Sequence, residues 1–230
     1  PILPSTWAYY EDPNAIQFDP DAAINALKAA GYHIDSEDET VRKKDDVELR
    51  FELLYPETEQ HRALAEAIQA DWLNLGVKVD LVPVSYEILI REHLEERAFQ
   101  AALVDLNLSL SPDPDPYPFW DQAQATGGQN YTQWDNRIAS EYLEQARVTT
   151  DLNERARMYK NFQVMFNEEL PALPLFYPVY NYAVDRKVRG VQMGPLFDRS
   201  DRFATLQGWY LITGQNLPAT PTPSIESQDN

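Results

Sequence analysis

Apolar positions recur at helical spacing soon after the start of the chain. Ala23, Ala26, Leu27 and Ala30 share one face. Asp19 is placed to cap that helix, Pro20 to open it and Gly31 to stop it. Positions 35–46 are almost all charged and predict an exposed turn. From Val47 to Tyr55 the period drops to two, the mark of a strand, and Pro56 ends it. Thr58 then caps a helix with Leu64, Ala67, Ile68, Trp72 and Leu75 on one face, closed by Gly76. Val77, Val79, Leu81 and Val84 give the next strand. A strand, a long helix and a strand make a βαβ unit, in which the strands run parallel. Ser85 caps a further helix over Tyr86–Arg97, and Phe99–Val104 reads as a short apolar strand. The first hundred residues therefore predict a βαβαβ half of an α/β sheet.

Beyond Val104 the pattern breaks. Asp105–Trp134 is longer than ordinary loops in compact domains, and such loops are functional or disordered. Its aromatics, Tyr117, Phe119, Trp120, Tyr131 and Trp134, argue for order. Two helices follow, over Asn136–Arg147 and from Asp151, where Glu154 three residues on makes a capping box. The second carries Met158, Phe162, Met165 and Phe166 on one face, with Tyr159 beside them. Leu173–Val184 reads as a buried strand. Val188–Val191 and Phe203–Ile212 are further strand candidates. Pro218–Asn230 is rich in Pro, Thr and Ser and predicts a disordered tail.

Charge narrows the possible partners. The 230 residues carry 19 Lys and Arg against 37 Asp and Glu, a formal charge of −18. Nucleic acid and anionic membrane surfaces both need clustered basic residues, so both are disfavoured. Cysteine is absent, which removes thiol nucleophiles, disulfides and thiolate metal sites. His33, His61 and His93 show no zinc-ligand spacing and read as structural or surface residues. Phosphate-binding glycine patterns and a Gly-x-Ser-x-Gly elbow are missing too. No cofactor is expected.

The chemistry-bearing stretch is Ser109–Trp120. Prolines at 112, 114, 116 and 118 fix φ and push each preceding residue out of the helical region. The segment is therefore stiff and extended, and a stiff loop loses little entropy on binding. It holds Asp113 and Asp115, with Tyr117 and Trp120 directly after. From Ala98 to Asn136 there is no Lys, Arg or His, yet Asp105, Asp113, Asp115, Asp121 and Asp135 all fall there. Unpaired acids beside aromatics suit a cationic or amine-bearing ligand, through ion pairing and cation–π contact. The competing reading is that the aspartates cap turns and face water while the aromatics fill the core. A calcium site at Asp113 and Asp115 lacks the EF-hand spacing. A glycosidase needs two acids across one cleft, and no such pair is legible. Gly127-Gly128 reads as a tight turn aiming Asn130 and Tyr131.

These residues together resemble a known family. The helix Asp19–Tyr32, the helix and strand Leu64–Val79 and the Pro-Asp loop Ser111–Tyr117 with Phe119-Trp120 and Asn130-Tyr131 carry the likeness. So do Arg155–Pro174 and the closing Val188–Val191 and Trp209-Tyr210. In this order they resemble the C-terminal part of family 5 extracellular solute-binding proteins, the oligopeptide-, dipeptide- and nickel-binding components of ABC importers. The resemblance implies an α/β fold: the C-terminal lobe of a two-lobed, periplasmic-binding-protein-like clamp (type II, cluster C), a mixed sheet flanked by helices. Residues 1–200 would form that lobe, 201–214 a return segment toward an absent N-terminal lobe, and 215–230 a disordered tail. It implies no catalysis. The implied partners are a peptide or other small solute, the missing N-terminal lobe and an ABC permease, with an extracytoplasmic location, periplasmic or lipid-anchored. The expected ligand contacts are Asp113, Asp115, Tyr117, Trp120, Asn130, Tyr131 and Trp134. An aspartate of the family loop can hold a peptide amine, and Asp113 and Asp115 both match its position. Two departures stand out: Leu108 where a tryptophan commonly precedes the loop, and Ser140 where the following helix often has an aspartate. Without its first lobe, the return strand near Phe203–Ile212 is expected to pack abnormally, to be disordered or to pair with another molecule. The rival readings are a carbohydrate-active enzyme and a surface adhesion domain.

Overall fold

A computed structural model describes residues 1–36, 38–108, 113–194 and 199–212. Expectations for Ser109–Pro112 and for the tail from 213 onward lie outside the described residues. The chain divides into two compact units, Pro1–Leu175 and Phe176–Asn230.

The first unit opens with α1 (Pro20–Ala29), where the Asp19 carboxylate accepts from the Ala22 N–H as expected. The charged stretch beyond it is more ordered than the predicted turn. β1 (Lys43–Lys44) and β2 (Val47–Glu48) form a small antiparallel hairpin. Asp45 and Asp46 both take positive φ at its tip, the geometry that suits a two-residue hairpin turn. Then come β3 (Arg50–Pro56), α2 (Glu59–Asn74) capped by Thr58, and β4 (Lys78–Val84). α3 (Tyr86–Ile88) is a single turn that continues as π-helix over Leu89–Leu94, not the regular helix its pattern suggests. β5 (Ala101–Ala102) completes the sheet.

The strand order is β4-β3-β5, all parallel, so β3 is central. Leu53 and Tyr55 pack with Val79 against Ala65, Leu64, Ile68 and Trp72 of α2. The residue between them, Leu54, packs on the opposite face against Leu89 and Leu94. Helices thus cover both faces, and β3 ends in a continuous buried run where its early alternation predicts one wet face.

The rest of the first unit is α4 (Tyr117–Trp120), α5 (Arg137–Val148) and α6 (Leu152–Glu169). Asn136 and Asp151 cap α5 and α6 through their side chains. Tyr159, Phe162 and Phe166 of α6 meet Ala139, Leu143 and Ala146 of α5 in the largest core cluster. Ile2 and Ala8 from the start of the chain, with Trp120 and Trp134 from the long loop, complete it.

In the second unit β6 (Val188–Arg189) pairs antiparallel with β7 (Tyr210–Leu211). Tyr182, Phe203 and Trp209 gather around that pair. The expected buried strand at Leu173–Val184 is corrected: no strand forms there, and Leu173, Leu175, Phe176 and Val179 are exposed. The expected strand over Phe203–Ile212 shrinks to two residues behind short 3-10 turns.

Candidate functional site

The long loop is built from its prolines outward. The Tyr159 hydroxyl of α6 donates to the Pro114 carbonyl at 2.8 Å, which pins the rigid segment to the helix below. A cavity of about 260 Å3 opens beside this segment, lined by Ile2, Thr6, Asn107, Asp113, Asp115 and Phe119 among others. Both loop aspartates reach it.

Neither aspartate is unpaired, which corrects the charge reading. Arg155 of α6 meets Asp113 at 3.0 Å, and Arg147 of α5 meets Asp115 at 3.3 Å. The loop contains no base, but the two helices beneath supply one for each acid. The two pairs differ. The Arg155 side chain is 12% exposed and lies over the Trp7 ring at 4.9 Å, so it is held on several sides. Burial works against its charge, and its hydrogen bonds to Asp113 and Tyr159 outweigh that and raise its pKa. Arg147 and Asp115 are both substantially exposed, and Arg147 stacks over Tyr117 at 4.4 Å. Asp115 also accepts from the Tyr117 N–H at 3.4 Å, so Asp115, Tyr117 and Arg147 form one linked group, of which Asp115 lines the cavity and Tyr117 is half-buried.

The other expected contacts split. Tyr131 is half-buried, with the Arg97 guanidinium 5.1 Å from its ring centre. Arg97 also donates to the carbonyls of Ala125 and Gly128, which clamps the glycine turn. Trp120, Asn130 and Trp134 do not line the cavity; all three are buried. The Asn130 amide donates to the carbonyls of Asp121 and Trp134, and its oxygen accepts from the Trp134 N–H. Trp120 meets Phe166 edge-on at 4.7 Å, and the Trp134 indole donates to Glu169. These three therefore hold the loop's shape, while Asp113 and Asp115 stand at its surface and Tyr117 is half-buried against the core without lining the cavity. Sequence reasoning missed Arg147 and Arg155. Arg147 carried no signal beyond its position on a well-capped helix, and Arg155 opened one of the family-like segments with no sign of its partner.

A wider concavity of about 610 Å3 lies at the opposite end of the sheet, where the strands begin. Two of its three charged residues, Arg50 and Asp80, meet at 2.7 Å, and open α/β sheets bind ligands at the strands' carboxyl ends instead. Among the described residues no three His, Asp or Glu group to hold a metal ion, and no helix is long and apolar enough to cross a membrane.

The fold is thus a parallel sheet covered on both faces, with a proline-stiffened acidic loop beside it. The sequence profile of the bacterial extracellular solute-binding proteins, family 5 Middle, matches residues 1–131, more than half of the chain. The chain belongs to that family. The dipeptide-binding protein of Escherichia coli (strain K12) is 27% identical over 196 residues, which is 85% of this chain and 35% of that protein. Oligopeptide-binding protein AppA from Bacillus subtilis, solved with a nonapeptide, superposes with a TM-score of 0.72 at 22% identity, covering 91% of this chain and 41% of that one. NikZ from Campylobacter jejuni, solved with Ni(L-His), gives 0.67 at 22% identity over 88% and 41%. The two structures establish the periplasmic-binding-protein fold. The chain spans about a third of the length of the curated relatives it matches.

Proposed function

We propose that this chain is a ligand-binding lobe of an ABC importer's substrate-binding protein, capturing peptides or a small amine-bearing solute outside the cytoplasm and delivering them to a permease. The supporting observation is the acidic cavity mounted on the rigid Pro-Asp loop, within a fold whose relatives include the dipeptide-binding protein of Escherichia coli. The protein binds and releases its ligand without changing it, in the periplasm or from a lipid anchor. An N-terminal lobe of the same protein closes the other side of the cleft.

In this reading Asp115 receives the ligand's amine. An exposed ion pair contributes about 0–1 kcal/mol, so an amine displaces Arg147 at little cost. Arg147 then stays stacked on Tyr117, and its charge is free for a ligand carboxylate. Asp113, tied to the buried Arg155, keeps the loop in place. Calorimetry of the full-length protein with a di- to pentapeptide library tests this. Binding heat that falls at least tenfold in affinity on Asp115→Ala is expected. Silence toward peptides together with tight binding of a sugar or a metal chelate would reject it.

A further inference from the structure

Asp105 is one of the exposed acids of the long loop. Asp113 and Asp115 each have an arginine, and Asp121 is fully buried. Asp105 is 64% exposed at its side chain, and among the described residues no Lys or Arg forms an ion pair with it. Its neighbours are His61, whose Nε2 lies 3.1 Å from Oδ2, and Tyr86, whose hydroxyl donates to the same oxygen. The other imidazole nitrogen, Nδ1, is 2.7 Å from the Thr58 hydroxyl. With Thr58 donating to Nδ1, the Nε2–H of the ring donates to Asp105. Burial pushes the Tyr86 phenol up to about 12, helped by its bond to Asp105, so at neutral pH it remains a donor. His61 and Tyr86 thus converge on one oxygen of the carboxylate. The exposed Tyr86 ring stands beside it, edge-on to His61.

The position of the cluster carries equal weight. His61 lies in the first turn of α2, just past the end of β3. Tyr86 opens α3, just past β4, and Asp105 follows β5. All three residues therefore sit at the carboxyl ends of the parallel strands. With the order β4-β3-β5, and with α2 and α3 on opposite faces, the chain reverses direction between β3 and β5. Open α/β sheets bind ligands at such a switch point. His61 and Asp105 flank it.

We propose that His61, Tyr86 and Asp105 form a second subsite, which receives a cationic group, an alkylammonium or a guanidinium, of the bound solute. The cation ion-pairs with Asp105 and lies against the Tyr86 ring, the combination that recognises ammonium groups. His61 and Thr58 are positioning residues that hold the carboxylate in place. The subsite rests on the solute-binding reading and adds a specificity to it: cationic ligands over neutral ones of the same shape.

The test is calorimetry of the full-length protein with three dipeptides, Ala-Lys, its neutral counterpart Ala-norleucine, and Ala-Glu. Ala-Lys is expected to bind at least tenfold more tightly than Ala-norleucine. Asp105→Asn should reduce that preference to about twofold or less and leave Ala-norleucine affinity unchanged. Peptide binding with no cation preference, or with a preference that survives Asp105→Asn, overturns the subsite while the solute-binding reading stands. If none of these three dipeptides binds, the solute-binding reading is judged by the peptide library and not by this experiment. The subsite is then read by NMR with arginine amide alone: shifts of the His61 ring signals in wild type but not in Asp105→Asn support it, and no shift in either overturns it. A purely structural tie would lower the melting temperature in Asp105→Asn without changing any selectivity.

Discussion

Asp121 shows how a single residue can be misread from sequence. It sits in the same base-free stretch as Asp113 and Asp115, so its carboxylate looks like one more ligand contact. The fold buries it completely, with Oδ1 accepting from the Ala123 N–H at 2.8 Å and Oδ2 left without a partner. Burial raises its pKa, chiefly by desolvating the charged form, and the nearby Glu144 adds to the effect. An acid whose folded pKa lies above its unfolded value binds its proton more tightly in the native state, so stability falls as pH rises between the two values. The window therefore opens at the ordinary value of 3.8 and closes at the raised one. Urea midpoints across the mildly acidic range should fall with rising pH in wild type by more than in Asp121→Asn. Equal slopes for the two proteins would show that Asp121 does not carry the effect. Asn130 and Trp134 were legible as special, but not as buried. An amide that satisfies three backbone groups looks the same in sequence as one that faces a ligand. The arginine partners of Asp113 and Asp115 were hidden for another reason: they lie some thirty to forty positions along the chain, and only packing brings them back.

Elements were legible where local rules and tertiary context agree. Thr58, Asn136 and Asp151 are capping residues, and each begins a helix. Both long strands of the parallel sheet appear where apolar residues cluster, although double burial blurs the alternation of β3. The failures came where pairing decides. Leu173–Val184 is apolar enough for a strand, yet Val179 is 82% exposed and no described strand pairs with the segment. A run of apolar residues fixes propensity, whereas a strand also needs an edge to join. The β6–β7 pair survives because its turns fit closely. Gly190 takes φ +77°, and a Cβ there would meet the Gly208 carbonyl oxygen at 2.2 Å. Gly190→Ala should therefore unpair β6 from β7. Ile212 donates to the Lys187 carbonyl at 2.8 Å, so its amide should exchange at least tenfold faster, while amides of β3 and β4 keep their protection. Unchanged protection at Ile212 would mean that the pairing tolerates a side chain at this point.

At the scale of the whole molecule, the fold was readable chiefly because several loose motifs occur in one order; hydrophobic periodicity alone supports only a generic βαβαβ unit. What neither source shows is how the mass is shared between units. The family profile matches residues 1–131, whereas the first compact unit runs on through α5 and α6 to Leu175. The physical reason is the aromatic core: Tyr159, Phe162 and Phe166 pack against Trp120, Trp134 and Ile2, so α6 belongs to the loop and to the start of the chain. Immediately after it the chain loses regular structure, and Leu173, Leu175 and Phe176 are exposed. Proteolysis needs accessible backbone that can be drawn into an extended conformation, and this junction offers it next to an aromatic residue. Brief chymotrypsin treatment should therefore cut first after Phe176, leaving a fragment of residues 1–176 that retains the far-UV circular dichroism of a folded α/β unit. Mass spectrometry of the first products decides the matter. Early cuts inside α5, α6 or the β3–α2–β4 unit would show that the aromatic core is not the stable centre, and the boundary at Leu175 would then have no energetic meaning.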